Sequence, residues 1–193
     1  MATEFERLKA GFAEPDPHYG PVPFWWWSGE EVTEERVRWQ LQKFREGGLR
    51  NIGIIHLAPT GPQYGSRGDS PAFMSEPWWR LFESALREAE RLGMRLWFYD
   101  QIGFSGANAQ ARLVAAHPEF AGHHLRRYAE AEPLPPGAEL LLESAGYRYA
   151  AVRQGYNWLD PKASAAVLDR VHGEMERRFP RDLGRTIAGS FQD

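Results

Sequence analysis

The sequence predicts an α/β fold with a parallel sheet, and three observations lead to that prediction. Short, continuous apolar runs alternate with longer stretches whose apolar residues recur at helical spacing. Glycines stand where most of the helical stretches would end. The 193 residues, 42% of them hydrophobic, are enough for the core of one ordinary domain. Repeated strand-helix-strand order of this kind predicts right-handed crossovers and parallel strands.

The first half of the chain predicts three strands and two helices between them. Thr33 is typical of a helix N-cap. The apolar stripe of the predicted helix follows Thr33 and ends before Gly47. Ser75 and Gly93 bound the second helix in the same way. The apolar runs that predict buried strands lie at 22–27, 51–57 and 94–100.

The second half is less regular. Two partly alternating stretches flank a proline-rich turn, which predicts a β-hairpin insertion at about residues 118–156. Asp160 followed by Pro161 is typical of a helix start, and the apolar stripe after it continues to Pro180. Residues 186–193 predict a fourth strand.

Composition and charge exclude several classes of function. The net charge of -3 leaves no basic face for phosphate, so we expect no nucleic-acid partner. The absence of cysteine excludes disulfides, thiolate catalysis and cysteine-ligated zinc. Residues 1–12 hold no apolar leader core, and no stretch reaches the ~18 apolar residues of a membrane span. We therefore expect a cytoplasmic protein with no membrane partner.

The number of strands leaves the type of α/β fold open at this point. A complete (β/α)8 barrel needs about 250 residues and eight strands, whereas four strands are predicted here. A doubly wound sheet fits the length, but the first strand is not followed by the Gly-x-Gly-x-x-Gly turn that cradles a dinucleotide phosphate. We expect no cofactor.

Four short passages, taken in order, resemble motifs of one known family. The third, Arg-Leu-Gly-Met-Arg-Leu-Trp-Phe-Tyr-Asp, is the closest in its residues. The passages are 23–29, 44–48 with 51–56, 91–100, and 158–161 with 187–193. The family is that of the glycoside hydrolases related to the α-L-rhamnosidases, which are large multidomain enzymes.

This resemblance implies a partial (β/α)8 TIM barrel of about four βα units. Residues 1–193 would be the N-terminal portion of a glycoside hydrolase catalytic domain, a fragment that is inactive alone. In the family the fourth strand runs into Asp-Glu, with the Glu as the catalytic acid; Asp193 matches the Asp of this pair, the Glu is not in this sequence, and Asp193 is the catalytic candidate that remains. Gln101 stands where relatives have glutamate, and glutamine cannot act as a general base.

The candidate site residues are those at the ends of the predicted parallel strands. Glycoside hydrolysis uses two carboxyl groups, and only Asp100 and Asp193 are carboxylates at strand ends. We predict that Asp100 and Gln101 bind substrate, with a structural loop cap as the alternative for Asp100. His56 is expected to bind a sugar hydroxyl, or else to be a satisfied core histidine.

Aromatic residues make up 13% of the chain, with eight tryptophans, and their rings fill cores or stack on sugars. Trp27, nearest the end of the first strand, is predicted to be the sugar platform. In the long loop at 58–72, Tyr64, Arg67 and Asp69 are weaker candidates. No metal site is expected, because the adjacent His123 and His124 would point to opposite faces of a strand.

Two other functions remain open from the sequence. The first is a non-catalytic carbohydrate-binding half-barrel that self-associates through exposed strand edges. The second is a complete small α/β enzyme of another chemistry.

Overall fold

The computed structural model of the protein describes residues 2–27, 31–57, 70–100 and 109–192. They belong to two compact units. The first comprises Met1–Ser105 with Glu176–Asp193, and the second comprises Gly106–Met175. In chain order the helices and strands are α1 (Glu4–Ala13), β1 (Phe24–Trp27), α2 (Glu34–Glu46), β2 (Asn51–His56), α3 (Glu76–Arg91), β3 (Arg95–Tyr99), α4 (Ala109–Ala116), β4 (Ala121–Ala129), β5 (Glu139–Ser144), β6 (Tyr147–Tyr156), α5 (Pro161–Leu168), α6 (Glu174–Arg178) and β7 (Ile187–Phe191).

The first unit is built on a four-stranded parallel sheet with the order β1-β2-β3-β7. The predicted α/β fold with a parallel sheet is therefore confirmed. Each strand lies beside the next one of the sheet in chain order, without the reversal that defines a doubly wound sheet.

Helices α2 and α3 begin and end where the local signals placed them. The Thr33 hydroxyl accepts a hydrogen bond from the backbone N–H of Arg36 at 3.2 Å, which satisfies one free donor of the first turn. Ser75 caps α3 in the same way. Gly93 follows α3 with a φ of 63°, a left-handed conformation that glycine adopts without strain, and it turns the chain directly into β3.

One row of residues across the sheet alternates large rings with glycines. Phe24 pairs in register with Gly53, Gly53 with Trp97, and Trp97 with Gly189. A Cβ at Gly189 would lie 2.6 Å from the Trp97 ring, and one at Gly53 would lie 3.5 Å from Phe24. The Trp97 ring therefore occupies the space that a side chain at Gly189 would need, whereas a Cβ at Gly53 would only make ordinary van der Waals contact with Phe24.

The sheet is strongly curved. The rings of Phe24 on β1 and Phe191 on β7 have centroids 5.1 Å apart, although two strands lie between them. Three neighbouring strand spacings would separate these residues by about 14 Å in a flat sheet. The face that carries Phe24 and Phe191 is therefore concave.

The second unit contains a three-stranded antiparallel sheet with the order β4-β6-β5. The prediction of a single hairpin is wrong in strand number. A tight turn at Ala145 and Gly146, both with positive φ, divides the second predicted stretch into β5 and β6. Helix α4, before this sheet, was not predicted.

The helical segment that begins after Asp160 is not one continuous α-helix. The Asp160 side chain accepts a hydrogen bond from the N–H of Lys162 at 2.8 Å, and Pro161 occupies the first turn, as predicted. Residues Asp169–Gly173 form a π-helical segment between α5 and α6. The helical path ends at Arg178, just before Pro180.

The N-terminal segment is attached to the sheet by one buried polar residue. Asn51, 1% exposed at the start of β2, donates hydrogen bonds to the carbonyls of His18 at 3.0 Å and Gly20 at 3.3 Å. Helix α1 itself has no buried residue. Among the described residues, no helix has the length and apolar character to cross a membrane.

Candidate functional site

The candidate site is the carboxyl edge of the parallel sheet. Since all four strands run in the same direction, their C-terminal ends meet at this edge. Trp27 and His56 are the last residues of β1 and β2, and Asp100 directly follows β3. Gln192 directly follows β7. The structure therefore places three of the five predicted site residues at one edge.

His56 is buried, with 3% of its surface exposed. Its ring centroid lies 5.5 Å from that of Phe73 and 6.5 Å from that of Trp78, which belongs to α3. This aromatic surrounding lies on the side of the sheet that faces the helices. An imidazole can donate or accept a proton, so His56 offers a polar group within an apolar wall at the site edge.

Asp100 is 7% exposed and is held beside the last strand of the sheet. Its backbone N–H donates a hydrogen bond to the carbonyl of Phe191 at 3.2 Å. This bond continues the pairing of β3 and β7 beyond Tyr99, which pairs with Phe191. The position of Asp100 is therefore fixed by the sheet rather than by a free loop.

Trp27 faces the helix layer. It is 2% exposed, and its ring makes edge contacts with Trp25 at 5.5 Å and with Trp78 at 6.0 Å. Within the described part of the chain its indole N–H is buried and has no hydrogen-bond acceptor. This packing is that of a core residue. Trp25 shares the face and donates to Gln40 of α2 at 2.9 Å.

The opposite face of β1 carries the rings that reach solvent. Phe24 is 42% and Trp26 is 41% exposed, and the two rings meet edge to face at 5.8 Å. Alternation along the strand predicted that the three tryptophans divide between two faces, but not which face would turn to the helices. Trp26 is thus the tryptophan that the sequence prediction passed over.

Four residues close the concave face near the candidate edge. Ile55, Leu57 and Tyr99 form a buried apolar cluster, and Phe191 packs against it. The rings of Tyr99 and Phe191 are stacked, with centroids 5.4 Å apart. An apolar floor of this kind below polar strand ends is typical of small-ligand sites.

Several predicted candidates lie outside the described residues. They are Gln101, Asp193 and the loop residues Tyr64, Arg67 and Asp69. Within the described ranges no three histidine, aspartate or glutamate side chains come together in a group that could hold a metal ion.

A separate charged groove of about 540 Å³ lies between α2 and α3. Its lining residues come from these two helices, so no strand-end residue contributes to it. Glu88 in this groove is hydrogen-bonded by Arg91 and Gln42, and the Arg91 contact in particular lowers the pKa of Glu88 below its usual value despite burial. The buried carboxylate of this groove is therefore paired with a groove residue and a neighbouring glutamine.

Comparison with known proteins finds distant similarity, with low sequence identity and partial coverage. No protein-family model matches the chain. A protein of Formosa agariphila described as "Putative beta-glucuronidase" is 25% identical over 111 residues, which are 55% of this chain and 9% of that protein. The structure of a rhamnosidase from Novosphingobium sp. PP1Y is similar with a TM-score of 0.45 and 19% identity, over 63% of this chain and 11% of that one. The chain thus spans about a tenth of either protein.

Proposed function

We propose that the chain is the N-terminal portion of a carbohydrate-active (β/α)8 domain of the glycoside hydrolase type. The observation that carries the proposal is the placement of two buried polar residues, His56 and Asp100, at the same carboxyl edge of a parallel sheet. In barrels built from βα units, catalytic and binding groups come from this edge. The distant match to a protein described as a β-glucuronidase supports a glycosidic substrate.

Two features of the sheet support the barrel. Its strands follow one another in chain order and are all parallel, as barrel strands do. Its curvature brings the rings of Phe24 and Phe191 into contact across the concave face. Side chains that point into a barrel meet in the same way. Four strands would be half of the eight that close such a barrel.

In the proposed site Asp100 accepts hydrogen bonds from sugar hydroxyls, and His56, whose ring packs on the helix side of the sheet, contributes a donor or acceptor at the same carboxyl edge. Trp26, on the concave face and not on the helix side where the His56 ring packs, offers an exposed ring that stacks on the apolar face of a sugar, the role that the sequence suggested for Trp27. Asp193 as the catalytic residue and Gln101 as a ligand remain predictions. More specifically, we propose that the full-length enzyme has an α-L-rhamnosidase-like specificity.

Hydrolysis by this chain alone is not expected. The reaction needs an acid and a second carboxylate on opposite sides of the scissile bond. Among the described residues that end the four parallel strands, Asp100 is the carboxylate present. The purified chain should therefore bind a saccharide without turning over aryl rhamnosides or aryl glucuronides.

The proposal is tested by calorimetric titration of the chain with methyl rhamnoside and methyl glucuronide. Asp100→Asn keeps the shape of the side chain but removes the charge, so binding should weaken about tenfold or more. Asp16→Asn, the same change at an exposed residue before β1, is the matched control and should bind as the unaltered chain does. No binding by the unaltered chain, or equal loss in both variants, overturns the proposal.

A second candidate function is a non-catalytic carbohydrate-binding half-barrel that self-associates. The exposed rings of Phe24 and Trp26 on an edge strand favour it, since apolar side chains beside an unpaired strand edge promote association.

A further inference from the structure

The antiparallel sheet of the second unit has one face rich in aromatic and cationic side chains. Register places Leu125, Arg127, Tyr147, Tyr149 and Arg153 on this face. Arg127 pairs with Tyr149, and Tyr147 and Arg153 lie two and four residues from Tyr149 along β6, so their side chains project to the same side. We call these five residues the tyrosine–arginine face.

This face is turned to solvent. Leu125 is 67% and Tyr147 is 40% exposed, Arg127 and Arg153 are exposed, and Tyr149 is half-buried. On the opposite face of the same central strand, Ala150 is completely buried. The exposed side is therefore not the side that packs within the unit.

The two arginines of this face are cations without a carboxylate partner. The Arg127 guanidinium lies over the Tyr147 ring, 4.5 Å from its centroid, which holds the charge in place while its N–H groups stay available. Neither Arg127 nor Arg153 makes a salt bridge or a hydrogen bond within the described part of the chain. The one acidic side chain that register places on the same face among the described strand residues is Glu139, opposite Ala151, and it forms no ion pair with either arginine there.

We propose that the tyrosine–arginine face binds an acidic polysaccharide. Exposed tyrosine rings contact the apolar faces of sugar rings, and guanidinium forks pair with carboxylate or sulfate groups. Tyr149, opposite Arg127, lies four residues from Arg153, so the two cations are separated by about 13 Å along the sheet. This spacing suits an extended chain that carries repeated acidic groups rather than a single anion.

The proposal goes beyond the function assigned to the strand-end edge and does not rest on it. All five residues belong to the second unit, whereas His56 and Asp100 belong to the first.

Affinity electrophoresis of the whole chain tests the proposal, with polygalacturonate, dextran sulfate and neutral dextran in the gels. We expect retardation by the acidic polymers, reduced by added salt, and none by neutral dextran. Retardation by polygalacturonate alone or by dextran sulfate alone supports the proposal and identifies the acidic group as carboxylate or sulfate. Absence of retardation by both polymers, or equal retardation by neutral dextran, overturns it.

The decisive variants change charge on one face or the other. Arg127→Gln combined with Arg153→Gln should weaken binding about tenfold or more. The matched control is Arg126→Gln on the opposite face of β4, where the arginine donates to Gln154 at 2.7 Å. Binding by this control should stay within about twofold of the unaltered chain. If it weakens as much as the double variant, the attraction is unspecific and the assignment is wrong.

Circular dichroism confirms that each variant is folded. If the double variant does not fold, the single Arg127→Gln and Arg153→Gln variants provide the same comparison. Tyr147→Ala gives an independent readout, because it removes the ring under Arg127 without changing the net charge. It should weaken binding as well; unchanged binding in Tyr147→Ala would exclude the aromatic contribution and overturn the proposed face.

Discussion

At the scale of single residues, a glycine leaves room for a large ring on the neighbouring strand of the first unit. Gly189 is the clearest case, because the Trp97 ring occupies the position of the missing side chain. The ring itself is only half-buried, and its indole N–H is enclosed without an acceptor within the described residues. The contact between Trp97 and Gly189 is thus one of close steric fit.

Gly189→Ala should lower the free energy of unfolding by about 1–3 kcal/mol, since the new methyl group overlaps the Trp97 ring and β7 has to shift. Urea denaturation, followed by circular dichroism, measures the change.

The matched control for this change is Gly11→Ala. Gly11 lies in the exposed helix α1, where a Cβ would meet nothing within 4 Å. Its effect should be neutral or slightly stabilising. Equal stability of the two variants would show that the Trp97 contact is easily relaxed.

At the scale of elements, the sequence predicts best where a local signal stands at the boundary. Thr33, Ser75, Gly93 and Asp160 bound helices in the structure as they did in the sequence, because capping depends on residues within one turn. The turn between β5 and β6 was missed because Ala-Gly replaces the Asn-Gly or Asp-Gly that such turns favour.

The candidate site shows the same limit of prediction. Periodicity places His56 and Asp100 at strand ends, because the ends of apolar runs are visible in the sequence. It does not show that Trp27 faces α3 and Trp26 the concave side, because that depends on which face the helices cover.

The hydrogen bonds that Glu88 of α3 accepts should make stability depend on pH. Hydrogen bonding by Arg91 first, and by Gln42, lowers the pKa of Glu88 from its ordinary 4.5. A carboxylate whose pKa is lower in the folded than in the unfolded state contributes stability above its ordinary pKa. That contribution is lost as the pH falls through the lowered folded value.

The variant Glu88→Gln should therefore be less stable than the unaltered chain at neutral pH, and the difference should shrink in acid. Urea denaturation at neutral pH and at about pH 3 measures both differences. Glu83→Gln, at an exposed position on the same helix, is the matched control and should unfold as the unaltered chain does at neutral pH. A difference for Glu88→Gln that stays constant across this range would contradict the assigned ion pair.

At the scale of the whole molecule, the first unit leaves sheet surface uncovered within the described residues. The strand order ends on β1 at one side and on β7 at the other. Backbone groups at such edges, beside exposed aromatic rings, can pair with another chain. Self-association through these edges is the behaviour that we propose for the chain in isolation.

Light scattering coupled to size exclusion should give a mass above 22.1 kDa for the purified chain, rising with concentration. Trp26→Lys places a charge beside the β1 edge and should shift the chain towards the monomer. Trp39→Lys, at a 53% exposed tryptophan on α2, should not. A monomer at all concentrations would rule out pairing through the edges.

The irregularity between Leu96 and Trp97 limits the register in which β7 can pair with β3. Leu96 pairs with Ile187 but Trp97 pairs with Gly189, so Ala188 is the extra residue. If the register continued unshifted from Leu96 and Ile187, Trp97 would pair with Ala188 and face its methyl group instead of the bare Cα of Gly189. The extra residue and the glycine therefore favour the same register. If β7 were displaced by one residue in either direction, one of its side chains would overlap the indole ring of Trp97. A segment from the far end of the chain can thus add to the sheet in a single alignment, selected by one aromatic side chain.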